Sequence, residues 1–142
     1  MTKTLTGQCL CGSVRFRATG PFRAVSFCHC AQCRQWHGHV GVYTNAMRAN
    51  VTFLDDRDLA WYQSSPIARR GFCANCGSSL FWDKPDRDSI SIAAGSLDPP
   101  TGLEAGAQIF TAEKSDYYPL DTSIAVRDPG EDVQQTRISK PK

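Results

Sequence analysis

Seven cysteines carry most of the chemistry open to this sequence, and all lie between Cys9 and Cys76, with none in the 66 residues that follow. They fall as C-x-C (Cys9, Cys11), C-x-C-x-x-C (Cys28, Cys30, Cys33) and C-x-x-C (Cys73, Cys76). An odd number at such short spacings argues against a disulfide framework, because cysteines one or two residues apart chelate a single ion more easily than they form unstrained disulfides. Turn-borne thiolates of this kind are zinc ligands. Cys9, Cys11, Cys73 and Cys76 are expected to close a four-sulfur tetrahedron that ties the N-terminal strand to a hairpin far along the chain. A closed site of that sort contributes on the order of 10 kcal/mol to folding.

Cys28, Cys30 and Cys33 are then left as a set of three. Three protein ligands with a vacant fourth position are what a zinc centre needs to admit water or substrate. A thiol from outside is the natural fourth ligand, since zinc–sulfur bonding lowers a thiol's pKa. The competing expectation is a closed structural site completed by His29, His37 or His39. His29 alternates away from its cysteine neighbours in an extended segment, which makes it the weaker candidate. His37, four residues after Cys33, is within reach. The open site is the preferred reading of the two.

The elements that must hold these thiols are strands. Val14, Phe16 and Ala18 alternate with Arg15 and Arg17, and Val25 and Phe27 alternate again after the turn-forming "TGPF". That pattern predicts a hairpin with one cysteine cluster at its start and another at its end. "CAQCRQWHG" predicts a short helical turn ending at Gly38. Further strands are expected at 40–44, 51–54, 59–63, 67–72, 79–83, 89–94 and 107–112. "FCANCGSSLFW" reads as a zinc knuckle at a hairpin tip, with Gly77 free to take positive φ. "GSLDPPTG" is a loop, and it lacks the lysine and following helix that a phosphate cradle requires. The class is mostly β, in one domain over residues 1–126, followed by a polar tail over 127–142.

Composition narrows the function. In 142 residues, 41% hydrophobic and 21% charged, no apolar run is long enough to span a bilayer, and the N-terminal residues carry no apolar signal core. A cytoplasmic, reducing compartment is expected. The formal charge of +2 is spread along the chain with no basic run longer than Arg69-Arg70, so no nucleic-acid partner is expected and no membrane either.

Five separated segments, "GQCLCGSVRF", "CHCAQCRQWHG", "RRGFCANCGSSLF", "AAGSLD" and "IFTAEKSDYY", agree in order and spacing with one family. Over residues 5–118 the chain resembles the glutathione-dependent formaldehyde-activating enzymes, also called the GFA or CENP-V type domain. The resemblance implies a β-tent (Mss4-like) fold of small antiparallel sheets organised around two Zn²⁺ sites. It also implies structural zinc at Cys9, Cys11, Cys73 and Cys76, and a labile catalytic zinc at Cys28, Cys30 and Cys33. The implied activity is condensation of formaldehyde with glutathione to S-hydroxymethylglutathione, a carbon–sulfur lyase reaction run in reverse. Two departures stand out. Gln108 occupies a place where family members often carry histidine, and "PLDTSIAV" follows the tyrosine pair in place of Asp-Gly-Leu-Pro.

The leading expectation is therefore a zinc-dependent carbon–sulfur lyase or synthase for thiol adducts of a small aldehyde, with a thiol such as glutathione as partner. The alternative is a non-enzymatic zinc-binding interaction module. A methionine sulfoxide reductase would need a redox cysteine outside the zinc sites, and none follows Cys76. Arg34 is a candidate to receive a substrate carboxylate and His37 to donate a proton. Arg70 either supports the knuckle or lines the cleft. Trp36, Phe72, Phe81 and Trp82 read as core or cleft wall, and Tyr117 and Tyr118 as packing at the sheet end.

Overall fold

The computed structural model describes residues 3–128. Its strands are β1 (Thr4–Gln8), β2 (Arg15–Thr19), β3 (Val25–Cys28), β4 (Gly41–Met47), β5 (Val51–Asp55), β6 (Leu59–Gln63), β7 (Arg69–Cys73), β8 (Ser79–Asp83), β9 (Ser89–Ala93) and β10 (Ala105–Ile109). One α-helix, α1 (Ala31–His37), joins β3 to β4. The strands form a three-stranded sheet in the order β1-β2-β5 and a seven-stranded sheet in the order β10-β3-β4-β9-β8-β7-β6. No helix among the described residues is long and apolar enough to cross a membrane.

Period-2 alternation divides the seven-stranded sheet into two unlike faces. Ala46 on β4, Ile90 and Ile92 on β9 and Phe81 on β8 join the apolar core, where they meet Leu5, Phe16 and Ala18 of the small sheet. Phe16 and Phe81 make an edge-to-face pair with ring centroids 5.0 Å apart, an arrangement that suits the aromatic quadrupole. The intervening residues, Tyr43, Asn45, Ser89, Ser91 and Trp82, turn to the opposite face and line a cavity. One face holds the fold together, and the other is left for chemistry.

Three expectations need correction. β2 and β3 do not form a hairpin: both edges of β2 are taken, by β1 and β5, and β3 pairs with β4 and β10 in the other sheet. Pro21, lacking an N–H, begins the crossing between sheets. The sheets are not both small and antiparallel, since β10 lies parallel to β3 at the edge of seven strands. The last strand ends at Ile109, short of 112, because Phe110 takes left-handed φ 55° and a 3-10 turn follows at Thr111–Glu113.

At the start of the expected tail, Arg127 N donates to Gln108 O at 2.8 Å, and the Asp128 carboxylate accepts from the Thr111 N–H and hydroxyl. The rest of that tail, 129–142, lies outside the described residues.

Candidate metal centres

The first cluster is built by two tight turns. Cys9 and Cys11 flank Leu10 after β1, while Cys73 closes β7 and Cys76 follows it in the turn to β8. Gly12 and Gly77 hold φ near +80°, which only glycine adopts without strain, and each turn folds back so that backbone N–H groups point at sulfur. Val14 N lies 3.3 Å from Cys9 Sγ and Cys76 N 3.4 Å from Cys73 Sγ. The four sulfurs lie within 4.8 Å of one another, with Cys9–Cys11 at 3.6 Å and Cys11–Cys73 at 3.8 Å. Metal–sulfur bonds of about 2.3 Å in a tetrahedron give sulfur–sulfur edges of about 3.8 Å, so this donor set fits a zinc ion.

Hydrogen bonds favour ionised sulfur at two of these cysteines, while burial raises the Cys73 thiol. The Ser78 hydroxyl, then its backbone, hold the Cys76 thiol down to about 5. Ser13, then Asn75, hold Cys11 down to about 7. The Ser13 hydroxyl sits 3.1 Å from Cys11 Sγ and 3.2 Å from Cys73 Sγ, bridging the two halves of the cluster.

The second cluster is Cys28, Cys30 and Cys33, all buried, with sulfurs again within 4.8 Å of one another. Cys28 ends β3. Cys30 caps α1, its sulfur accepting from Cys33 N at 3.2 Å. Cys33 lies one turn into the helix, and a Cβ at Gly41 would come within 3.0 Å of its sulfur, so glycine is what lets β4 approach. Ile109 at the end of β10 and Phe110 just after it pack against the three cysteines. Without a cation such a set resists ionisation: hydrogen bonds to Cys30 and Cys33, then burial, push the Cys28 thiol far up. Three crowded thiolates need a positive ion to share, and soft sulfur donors suit a zinc-type ion.

Among the described residues no histidine joins either cluster. His29 is buried and turned to other partners. Its Nε2 meets Gln108 Oε1 at 3.0 Å and its Nδ1 meets the Tyr118 hydroxyl at 2.5 Å. Gln108 spends its own N–H groups on the carbonyls of Asp121 and Ile124, so its oxygen accepts from His29 Nε2–H. His37 Nε2 meets the Tyr43 hydroxyl at 2.6 Å. His39 meets the Tyr117 hydroxyl on the surface.

A cavity of about 390 Å³ opens beside the second cluster and is lined by all three of its cysteines. Ser26, Tyr43, Asn45, Ser91 and Trp82 supply a polar floor from neighbouring strands, and Arg70 stands on β7 opposite Trp82. Arg23, Lys84 and Arg87 also line it, and among the described residues no carboxylate does. Arg34 and His37 are not in the lining, and His37 reaches the cavity through Tyr43. The sequence reading missed Tyr43, Asn45, Ser91 and Lys84. Alternation within each strand marks them as one-faced, but only long-range pairing brings those faces together.

Comparison with known proteins places this arrangement among relatives. Residues 4–113 match the family model described as glutathione-dependent formaldehyde-activating enzyme. An uncharacterized lyase of Schizosaccharomyces pombe is 31% identical over 114 residues, covering 79% of this chain and 82% of that protein. A Rhodobacter sphaeroides protein of known crystal structure shares the fold. Its TM-score is 0.57 at 21% identity, covering 66% of this chain and 88% of that one.

Proposed function

This chain belongs to the glutathione-dependent formaldehyde-activating enzyme family, and on that premise we propose that it is a zinc-dependent carbon–sulfur lyase acting reversibly on the adduct of a small aldehyde with glutathione or a similar thiol. The observation that carries this reading is the cavity at Cys28, Cys30 and Cys33: three thiols, with no fourth ligand among the described residues, line a space that also holds polar side chains. An interaction module of the same fold would not need such a space. The zinc-organised β-tent architecture is part of the same proposal, with Cys9, Cys11, Cys73 and Cys76 holding the structural ion.

Zinc held by Cys28, Cys30 and Cys33 would supply a thiol pKa low enough for ionisation at neutral pH. The chain's residues do the rest. Arg23, Lys84 and Arg87, with no carboxylate beside them among the described lining residues, attract the carboxylates of a glutathione-like molecule, and a volume of about 390 Å³ falls in the range of small-molecule sites. Arg34 lies outside that lining and is assigned no part in carboxylate binding. In synthesis the sulfur–carbon bond forms as the aldehyde's C=O π bond opens, and the thiol's proton ends on the new hydroxyl. The Tyr43 hydroxyl, positioned in the cavity wall by His37 and Arg70, is the group we assign to relay that proton. Cytoplasmic residence accords with free thiols and a thiol substrate.

The test is exchange spectroscopy on isotopically labelled formaldehyde with glutathione. Catalysed interconversion of free formaldehyde and its adduct, lost in Cys30→Ser, is the expected result. Exchange no faster than the uncatalysed background in zinc-replete protein would refute the reading.

A further inference from the structure

Arg70 is the largest fully buried side chain, 2% exposed, and among the described residues it makes no ion pair with a carboxylate. Its neighbour Arg69 shows the ordinary arrangement: Nε lies 3.0 Å from the Asp83 carboxylate, and the guanidinium covers the Trp61 ring at 3.8 Å. Arg70 instead donates from Nη2 to Gln32 Oε1 at 2.9 Å and to Cys33 Sγ at 3.4 Å, and from Nη1 to the Tyr43 hydroxyl at 3.4 Å. Its Nε is buried without a partner. A guanidinium is charged at any relevant pH, and a buried charge facing only neutral acceptors is costly. Cys33 Sγ is the partner that a bound metal would hold as an anion.

The charge of the second cluster explains the placement. Three thiolates outweigh one dication, so an incoming anion would meet a net negative site and be repelled. A fixed cation against one of the sulfurs, in the wall of the same cavity, removes that repulsion. A neutral ligand would gain little from it. The partners of Arg70 also fix its direction, since Gln32 belongs to α1 and Tyr43 to β4, and the guanidinium is clamped between them.

We propose that Arg70 is a positioning residue that makes the open place beside Cys28, Cys30 and Cys33 a receptor for an anion, holding substrate there as its thiolate. This rests on reading that cluster as a metal centre with a vacant position, but not on any turnover.

The experiment compares azide, an anion, with imidazole, a neutral ligand, as probes of cobalt-loaded protein by visible absorption. Both bind metals through nitrogen, so they differ chiefly in charge. Arg70→Gln is expected to weaken azide about tenfold or more while changing imidazole less than about twofold. Arg70→Lys, which keeps the charge, should recover most of the azide affinity. Equal losses for both probes would mean that Arg70 only supports the structure, and unchanged azide binding, or no response to either probe in the parent protein, would overturn the proposal.

Should Arg70→Gln fail to fold, the unaltered zinc-loaded protein gives a second reading. Its nitrogen-labelled Arg70 Nε–H resonance, assigned by its loss in Arg70→Lys, should move on adding azide and stay in place with imidazole. A resonance indifferent to azide overturns the idea. Anion preference in a protein without aldehyde exchange would instead leave Arg70 as assigned and refute the lyase reading alone.

Discussion

His37 Nε2 lies 2.6 Å from the Tyr43 hydroxyl, a bond that links the end of α1 to a strand lining the cavity. Arg70 Nη1 donates to that same hydroxyl oxygen at 3.4 Å, so one tyrosine oxygen meets both the buried guanidinium and His37. Burial, then the Arg70 cation, hold His37 down to about 4.

Stability should follow. In the unfolded chain a histidine takes its proton near pH 6.5, whereas folded His37 does so only near 4. The unfolded state therefore binds more protons between those values. The contribution is fully present above 6.5 and is lost as pH falls through the window. Urea unfolding at pH 7 and pH 5 should show the stability gap between the parent protein and His37→Gln narrowing at the lower pH. A gap that stays constant would mean that His37 takes its proton at the same pH in the folded and the unfolded chain.

The two cysteine sets should respond differently to single serine substitutions. Cys9 and Cys73 sit inside the apolar core and join its two halves, so Cys9→Ser or Cys73→Ser should yield protein that does not fold. Cys28, Cys30 and Cys33 border a cavity, and their serine variants should stay folded while losing about one zinc per chain, read by metal analysis and circular dichroism. Equal collapse of both sets would make both sites structural.

Both cysteine clusters were legible because each half is local. The C-x-C and C-x-x-C spacings dictate the turns, and Gly12 and Gly77 mark where those turns need positive φ. The strands β6 and β8 were legible to the residue, at 59–63 and 79–83, from alternation bounded by turn residues. What alternation does not encode is the partner. Ser26, Asn45 and Ser91 each look like a solvated outward position in a half-buried strand, and only the β3-β4-β9 pairing turns them into one polar floor. The same limit produced the mistaken hairpin of β2 with β3. Arg70 was left undecided because its burial depends on Gln32 and Tyr43, which lie on elements far from it in sequence.

Asp83 has no solvent exposure and divides its oxygens between Arg48 Nη2 at 2.7 Å and Arg69 Nε at 3.0 Å. Removing one member of a buried pair strands the others, although both arginine side chains keep about a third of their surface in water, which softens the loss. Asp83→Asn should therefore cost about 2 kcal/mol, below the usual figure for a fully buried pair. The expected readout is a lower denaturation midpoint with metal content and denaturant slope unchanged. An unshifted midpoint would mean that the paired charges do no more than offset their own desolvation.

Cobalt offers the most direct view of the open position. It replaces zinc in tetrahedral thiolate sites, and its sulfur-to-metal absorption grows with the number of bound thiolates. If the fourth ligand at Cys28, Cys30 and Cys33 is an external thiol, glutathione should add intensity by completing a four-sulfur shell or should draw the ion out of the site. S-methylglutathione keeps the carboxylates that Arg23, Lys84 and Arg87 would attract, but it has no thiol, so it should occupy the cavity without either effect. The four-sulfur set at Cys9, Cys11, Cys73 and Cys76 has no vacancy and should keep its spectrum throughout. Cys28→Ser should accordingly abolish the glutathione response and leave that background intact. A response that survives Cys28→Ser would locate thiol binding elsewhere, and a parent spectrum indifferent to glutathione would turn the proposal toward the interaction-module reading.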